Sequence, residues 1–194
     1  MNLKSILVGL KGLKAKGNLE QEIEGIESDS RKIKKGYLFV AIKGFEVDGH
    51  KFIESAIEKG ATAVVIEAGF DLKTVKFPED ITIIMAPDTR EFLAIAACNF
   101  YKNPSKKFKL IGVTGTKGKT TTTFMIKEIL EKAGKNVGLI GTIATYINGE
   151  SQGDSDRTTP ESLELQRIFA EMVKQKVEYV VMEVSSQSLK LHRV

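Results

Sequence analysis

Three glycines, two lysines and five threonines make up most of Gly112-Val113-Thr114-Gly115-Thr116-Lys117-Gly118-Lys119-Thr120-Thr121-Thr122, which follows the apolar run Phe108-Lys109-Leu110-Ile111 directly. Glycine lets a backbone approach a polyphosphate and turn its N–H groups inward. Lysine brings positive charge to the β and γ phosphates, and the hydroxyl after it is suited to Mg²⁺. The general phosphate-loop pattern would need glycine at 113, where Val113 stands, so the stretch is a Thr-Gly-Thr-x-Gly-Lys-Thr-Thr variant. Phe124, Ile126, Ile129, Leu130 and Ala133 then recur at helical spacing, with Gly134 placed to end the helix. A buried strand, a glycine loop and a helix are therefore expected in that order, and nucleotide chemistry with them. The bland alternative is a surface turn that binds nothing.

A second chemical group lies further on. The apolar run Tyr179-Val180-Val181-Met182 leads into Glu183-Val184-Ser185-Ser186, which puts a carboxylate at the carboxyl end of a strand, where open α/β sheets hold ligands. Mg²⁺ prefers one or two carboxylates plus phosphate oxygens and water, so Glu183 is expected to face Thr120 across the phosphates; the alternative is a solvated strand end. Arg157-Thr158-Thr159-Pro160-Glu161-Ser162 places two hydroxyls ahead of a proline suited to a first helical turn. This is either an anion site or simple capping. His50 and His192 have no Cys/His partner at zinc spacing, and Ser185 and Ser186 lack the glycine-flanked elbow of a hydrolase nucleophile.

The elements that must position these groups follow from periodicity. Leu3, Ile6, Leu7, Leu10 and Leu13 predict a helix over residues 2–14. Strands are expected near Gly25-Ile26-Glu27, over 37–42, 63–66, 81–85 and 136–140, and over the run ahead of Glu183. A helix carrying Phe52, Ile53, Ala56 and Ile57 follows Asp48-Gly49 and closes at Gly60. Another, opened by a capping box at Asp88 and Glu91, runs to about Tyr101, and a third covers 162–174. Lys102-Asn103-Pro104-Ser105-Lys106-Lys107 reads as a linker. The expected class is α/β: a small amino-terminal domain, 1–104, then the start of a mostly parallel, doubly wound phosphate-loop domain, 105–194, unfinished at Val194.

Composition narrows the partners. The 194 residues are 42% hydrophobic and 28% charged, an ordinary globular balance. A net charge of +4, with lysines scattered rather than striped, falls short of a nucleic-acid footprint. Ile6-Leu7-Val8-Gly9-Leu10 is too short for a signal core or a membrane span. The single cysteine, Cys98, reads as a small buried residue, and a reducing compartment, the cytoplasm, is expected. Nothing in the sequence demands more than a monomer.

With those residues in view, the chain resembles the amino-terminal part of the Mur ligases. The resemblance is carried by Asp29-Ser30-Arg31, Gly36-Tyr37-Leu38-Phe39-Val40-Ala41, Gly44 and Asp48-Gly49-His50. It continues through Gly115-Thr116-Lys117-Gly118-Lys119-Thr120-Thr121, Thr158-Thr159-Pro160, and Glu183-Val184-Ser185-Ser186 with Arg193-Val194. The phosphate loop alone points to a group that includes folylpolyglutamate synthases; the first domain and Thr-Thr-Pro narrow it to the branch acting on UDP-N-acetylmuramoyl-dipeptide. That resemblance implies a three-domain cytoplasmic ligase of peptidoglycan synthesis that uses ATP and Mg²⁺ to join a diamino acid to UDP-MurNAc-L-Ala-D-Glu. It implies that Ser28 and Ser30 contact the uridine end, with the Phe45-Glu46-Val47 turn nearby, and that Thr158, Thr159, Ser185 and Arg193 hold the muramoyl dipeptide. Gly115 to Thr121 would bind ATP, Thr120 and Glu183 would hold Mg²⁺, and Lys119 and Glu183 would serve catalysis. Lys117, Gln187 and Leu191 stand where the family usually has asparagine, histidine and glutamine. The lysine that supports a second metal, and the domain that selects the amino acid, would lie past Val194, so the 194 residues alone are expected to be inactive. Rival readings are an amide ligase acting on another carboxylate and a non-catalytic nucleotide-binding module.

Overall fold

The computed structural model describes residues 1–155 and 157–194. The chain forms two compact units, Met1–Phe100 and Tyr101–Val194.

In the first unit β1 (Lys14–Lys16), β2 (Gly25–Glu27), β3 (Tyr37–Val40), β4 (Ala61–Glu67) and β5 (Thr82–Ala86) make one sheet in the order β1-β5-β4-β3-β2. β2 to β5 run parallel, and β1 pairs antiparallel with β5. Parallel strands covered on both faces read as unbroken apolar runs, which is why β3, β4 and β5 are legible in the sequence. α2 (Ile53–Glu58) delivers Ile53 and Ala56 to a core with Phe39, Val64, Ile66 and Ile83. α3 (Thr89–Phe100) starts where Asp88 Oδ1 accepts from the N–H groups of Arg90 (2.7 Å) and Glu91 (3.1 Å). Half-buried Cys98 lies on this helix, and burial raises its thiol pKa.

The helix expected over 2–14 is instead α1, Leu3–Ile6 alone. Gly9 and Gly12 take left-handed φ values of 82° and 69°, which a right-handed helix cannot contain, and the chain beyond them pairs as β1. The Asn99 amide on α3 donates to the carbonyls of Ile6 and Val8, each at 2.8 Å, satisfying the open end of α1.

His50 is buried in a 3₁₀ turn, Gly49–Phe52. Its Nε2 accepts the Glu67 N–H at 3.1 Å, so the ring proton sits on Nδ1, 2.6 Å from Asp48 Oδ1. The ring stacks on Phe70 at 4.6 Å. His50 thus pins the 43–48 turn to the end of β4.

In the second unit the order is β6-β10-β7-β8-β9, from β6 (Lys109–Val113), β7 (Val137–Ile140), β8 (Ala144–Ile147), β9 (Glu150–Asp154) and β10 (Tyr179–Glu183). β6, β10 and β7 are parallel; β8 and β9 continue antiparallel. α5 (Ser162–Lys174) buries Leu165, Phe169 and Met172 against Ile140, Val180 and Met182. α4 (Lys119–Lys132) crosses β10 and β7, and ends where Lys135 N–H reaches the Leu130 carbonyl. After it β7 is wholly buried.

Among the described residues the strand feeding the phosphate loop, β6, pairs with β10 alone, and within this length of chain Leu110 is 43% exposed rather than covered on both faces. Residues 102–107, read above as a linker, follow directly on the division between the units, and within them Pro104–Lys107 make a 3₁₀ turn, with Pro104 buried, packed on α5. The β8–β9 hairpin was not anticipated. Its Asn148 and Gly149 both have positive φ, 51° and 85°, the geometry that matches a two-residue turn to strand twist.

Replacing His50 with leucine keeps the apolar contact but leaves the Glu67 N–H without its acceptor. Urea unfolding should show a loss of about 1–3 kcal/mol; an unchanged midpoint would refute the pinning role.

Candidate functional site

The turn between β6 and α4 has the backbone features that suit an anion. Gly118 takes φ 79° as the residue before the helix, a conformation that side chains with a Cβ rarely adopt. Residues 114–118 are exposed, and none of their N–H groups donates to another described residue. The first turn of α4 adds its own N–H groups and the positive end of the helix dipole. Lys119 Nζ donates to the Gly115 carbonyl at 2.8 Å, which holds the ammonium over the loop. Thr116, Lys117 and Thr121 are exposed around the same turn.

Glu183 ends β10 with its side chain inward, 1% exposed. Its Oε2 accepts from the Thr120 hydroxyl at 3.1 Å and lies 3.2 Å from the Thr142 hydroxyl; Oε1 accepts the Thr142 N–H at 3.0 Å. The donor set suits Mg²⁺: a carboxylate oxygen and two hydroxyls converge beside a phosphate-type loop, hard oxygen ligands of the kind that ion takes. Among the described residues no group of three or more His, Cys, Asp or Glu is placed to hold a metal ion. The carboxylate fits only because position 141 is glycine. A Cβ there would sit 2.5 Å from Glu183 Oε1.

The Thr-Thr-Pro segment joins the same cluster, in a different way from the one expected. α5 begins at Ser162 with Glu161 as its cap, so Pro160 lies outside the first turn. Thr159 is buried, donating to the Glu183 carbonyl at 2.9 Å and accepting the Ser185 N–H at 3.2 Å. The Thr158 hydroxyl lies 3.0 Å from that of Thr142. Ser185 caps α6 (Ser186–Lys190), accepting from Ser188 N–H at 3.2 Å. Buried Arg193 contacts Glu161 Oε1 at 2.8 Å and the Thr159 carbonyl at 3.5 Å, and its Nε has no partner among the described residues.

Thr120, Glu183, Thr158, Thr159, Ser185 and Arg193 are thus brought into one hydrogen-bonded neighbourhood, with Lys119 on the adjoining loop. Gly141 and Thr142 were missed. Their signal was a Gly-Thr pair directly after the buried strand at 136–140, the same strand-end position that singles out Glu183. Ser28 and Ser30 belong to the first unit. Ser28 is exposed and Ser30 buried, and the Lys59 ammonium donates to the Ser30 carbonyl at 3.1 Å. Between the serines, Asp29 caps the 3₁₀ turn Ser30–Lys32, and hydrogen bonding to the Arg31 guanidinium holds its carboxyl down at about 2. His50, close to the expected uridine-contacting turn, serves the fold.

Comparison with known proteins places these features in context. Residues 22–101 match the family model described as Mur ligase family, catalytic domain, and residues 113–194 match the one described as Mur ligase middle domain. All 194 residues align at 55% identity with a UDP-N-acetylmuramoyl-L-alanyl-D-glutamate–2,6-diaminopimelate ligase of Clostridium tetani, and at 56% with that of Clostridium botulinum. The chain spans 39% of the length of each. A solved structure of such a ligase superposes with a TM-score of 0.76 at 25% identity, covering 100% of this chain and 37% of that one.

Replacing Gly141 with alanine should push Glu183 away from Thr120. Mg²⁺-dependent nucleotide affinity, followed by calorimetry, should fall by about tenfold or more, the loss of one charge-assisted contact. Unchanged affinity in a folded variant would show that Glu183 has no part in holding the ion.

Proposed function

The chain belongs to the Mur ligase family, and on that premise we propose that the full-length protein is an ATP-dependent amide ligase of peptidoglycan precursor synthesis in the cytoplasm. It joins 2,6-diaminopimelate to UDP-N-acetylmuramoyl-L-alanyl-D-glutamate, the reaction in the names of its relatives. The observation that carries this reading is the meeting of Thr120 and Glu183, 3.1 Å apart beside an open phosphate loop. Among the described residues no helix is long and apolar enough to cross a membrane, in keeping with a soluble nucleotide-sugar substrate.

In the reaction a carboxylate oxygen of the D-glutamyl residue attacks the γ-phosphorus of ATP. The bond to the bridging oxygen breaks, giving ADP and an acyl phosphate. The amine of the diamino acid then attacks the acyl carbon, phosphate departs, the amine loses a proton and the amide remains. Such a transfer asks the protein chiefly for positioning and charge. The loop N–H groups and Lys119 hold the phosphates; Thr120 and Glu183 hold Mg²⁺, which when bound neutralises charge on the transferring group. Thr158, Thr159, Ser185 and Arg193 orient the dipeptide: the Arg193 guanidinium donates to the Thr159 carbonyl, the Ser185 N–H donates to the Thr159 hydroxyl, and Thr158 presents its own hydroxyl. Ser28 and Ser30, with the 45–47 turn, receive the uridine end in the first unit.

Lys119→Ala in the full-length enzyme should cut ATP-dependent ligation by about 10²–10³-fold, read as phosphate release. Near-normal turnover would remove Lys119 from the reaction. Ser28→Ala should weaken calorimetric binding of UDP-MurNAc-L-Ala-D-Glu about fivefold, the worth of one hydrogen bond, with ADP affinity unaltered. Equal affinity for the sugar nucleotide would take Ser28 out of that site.

A further inference from the structure

We propose that Thr142 is a positioning residue that makes binding of Mg²⁺-nucleotide and of the muramoyl dipeptide mutually reinforcing, because its one hydroxyl proton is contested by Glu183 and Thr158. The inference rests on the functional reading above, in which Glu183 faces the metal nucleotide and Thr158 the dipeptide. Three observations support it. Thr142 Oγ1 is 3.2 Å from Glu183 Oε2 and 3.0 Å from Thr158 Oγ1. The Thr142 N–H, bonded to Glu183 Oε1 at 3.0 Å, fixes the residue in that bridging place. Glu183 is buried, so its few hydrogen-bond donors matter.

A hydroxyl carries one proton and two lone pairs, so the chain Thr158–Thr142–Glu183 has two polarities. With no cation at Glu183 Oε2, Thr142 donates to it beside the Thr120 hydroxyl, since a bond to a carboxylate is about twice as strong as one between neutral groups. Thr158 then spends its own proton on Thr142 and turns lone pairs outward, which repels an anionic ligand. Once Glu183 Oε2 is committed to a divalent cation it no longer attracts that proton. Thr142 swings its O–H to Thr158, and Thr158 is left with a proton to offer a substrate carboxylate or phosphate oxygen. A cation on one side thus favours an anion on the other, and by linkage the anion favours the cation equally.

Calorimetric titration of the full-length protein with UDP-MurNAc-L-Ala-D-Glu, with and without saturating MgADP and with no diamino acid, tests this without turnover. In the native protein MgADP should tighten dipeptide binding about fivefold or more, the lower end of usual coupling. ADP with excess EDTA should not. Thr142→Val and Thr142→Ala, at an exposed position outside the core, should bring the factor below about twofold, and Thr142→Ser should restore it. A merely structural role would lower both affinities and leave their ratio alone. The proposal is overturned if the native protein shows no enhancement, if valine and alanine keep it, or if serine does not recover it. If the native protein binds neither ligand, the functional reading fails and takes the proposal with it; normal binding of both without coupling sinks the proposal alone.

Discussion

The carboxylate of Glu183 is the group that the second unit is arranged to hold. Taking a carboxylate out of water costs several kcal/mol unless donors replace the lost hydration. Here Thr120, the Thr142 N–H and the Thr142 hydroxyl supply them, each bond to a charged acceptor being worth about 1.5–3 kcal/mol. Those donors come from the start of α4 and from the turn after β7, while the acceptor ends β10. Three elements are tied at one point, and the phosphate loop is tied with them through Thr120 and the Val184 N–H bond to Val113.

The same economy appears on the backbone side of Glu183. Its carbonyl receives the Thr159 hydroxyl, which in turn accepts the Ser185 N–H. Thr159 is therefore a brace, and of the two threonines Thr158 is the one left partly exposed. Arg193 braces from the other side through Glu161 and the Thr159 carbonyl. Of the residues that the family resemblance groups as substrate-binding, Thr159 and Arg193 are buried and bonded within the chain, whereas Thr158 and Ser185 are only partly covered.

What could be read from the sequence follows a physical rule. Apolar runs covered on both faces, such as β4, β7 and β10, declare themselves, and a glycine-lysine-threonine loop or a glutamate at a strand end inherits its meaning from the run before it. Elements made by pairing alone do not. Lys14-Ala15-Lys16 has no apolar pattern and becomes β1 because β5 offers it hydrogen bonds; β9 is exposed along its whole length and is held by β8. The Leu10 and Leu13 positions mislead because helical spacing is counted across glycines whose backbone has turned left-handed. Thr142 carries no motif, and its importance lies in what stands near it: Glu183 and Thr158, sixteen or more residues away in sequence.

Strand order also fixes a sequence of events during synthesis. β10 lies between β6 and β7, yet it is made after both, and among the described residues β6 pairs with β10 alone. A ribosome releases the glycine loop some seventy residues before the strand that pairs with its own, so the loop waits for β10 before its feeding strand is held by that neighbour. The carboxylate that meets Thr120 is likewise made last of the three elements it ties together, so the cluster around Glu183 closes only after α4 and the turn beyond β7 are already in the chain.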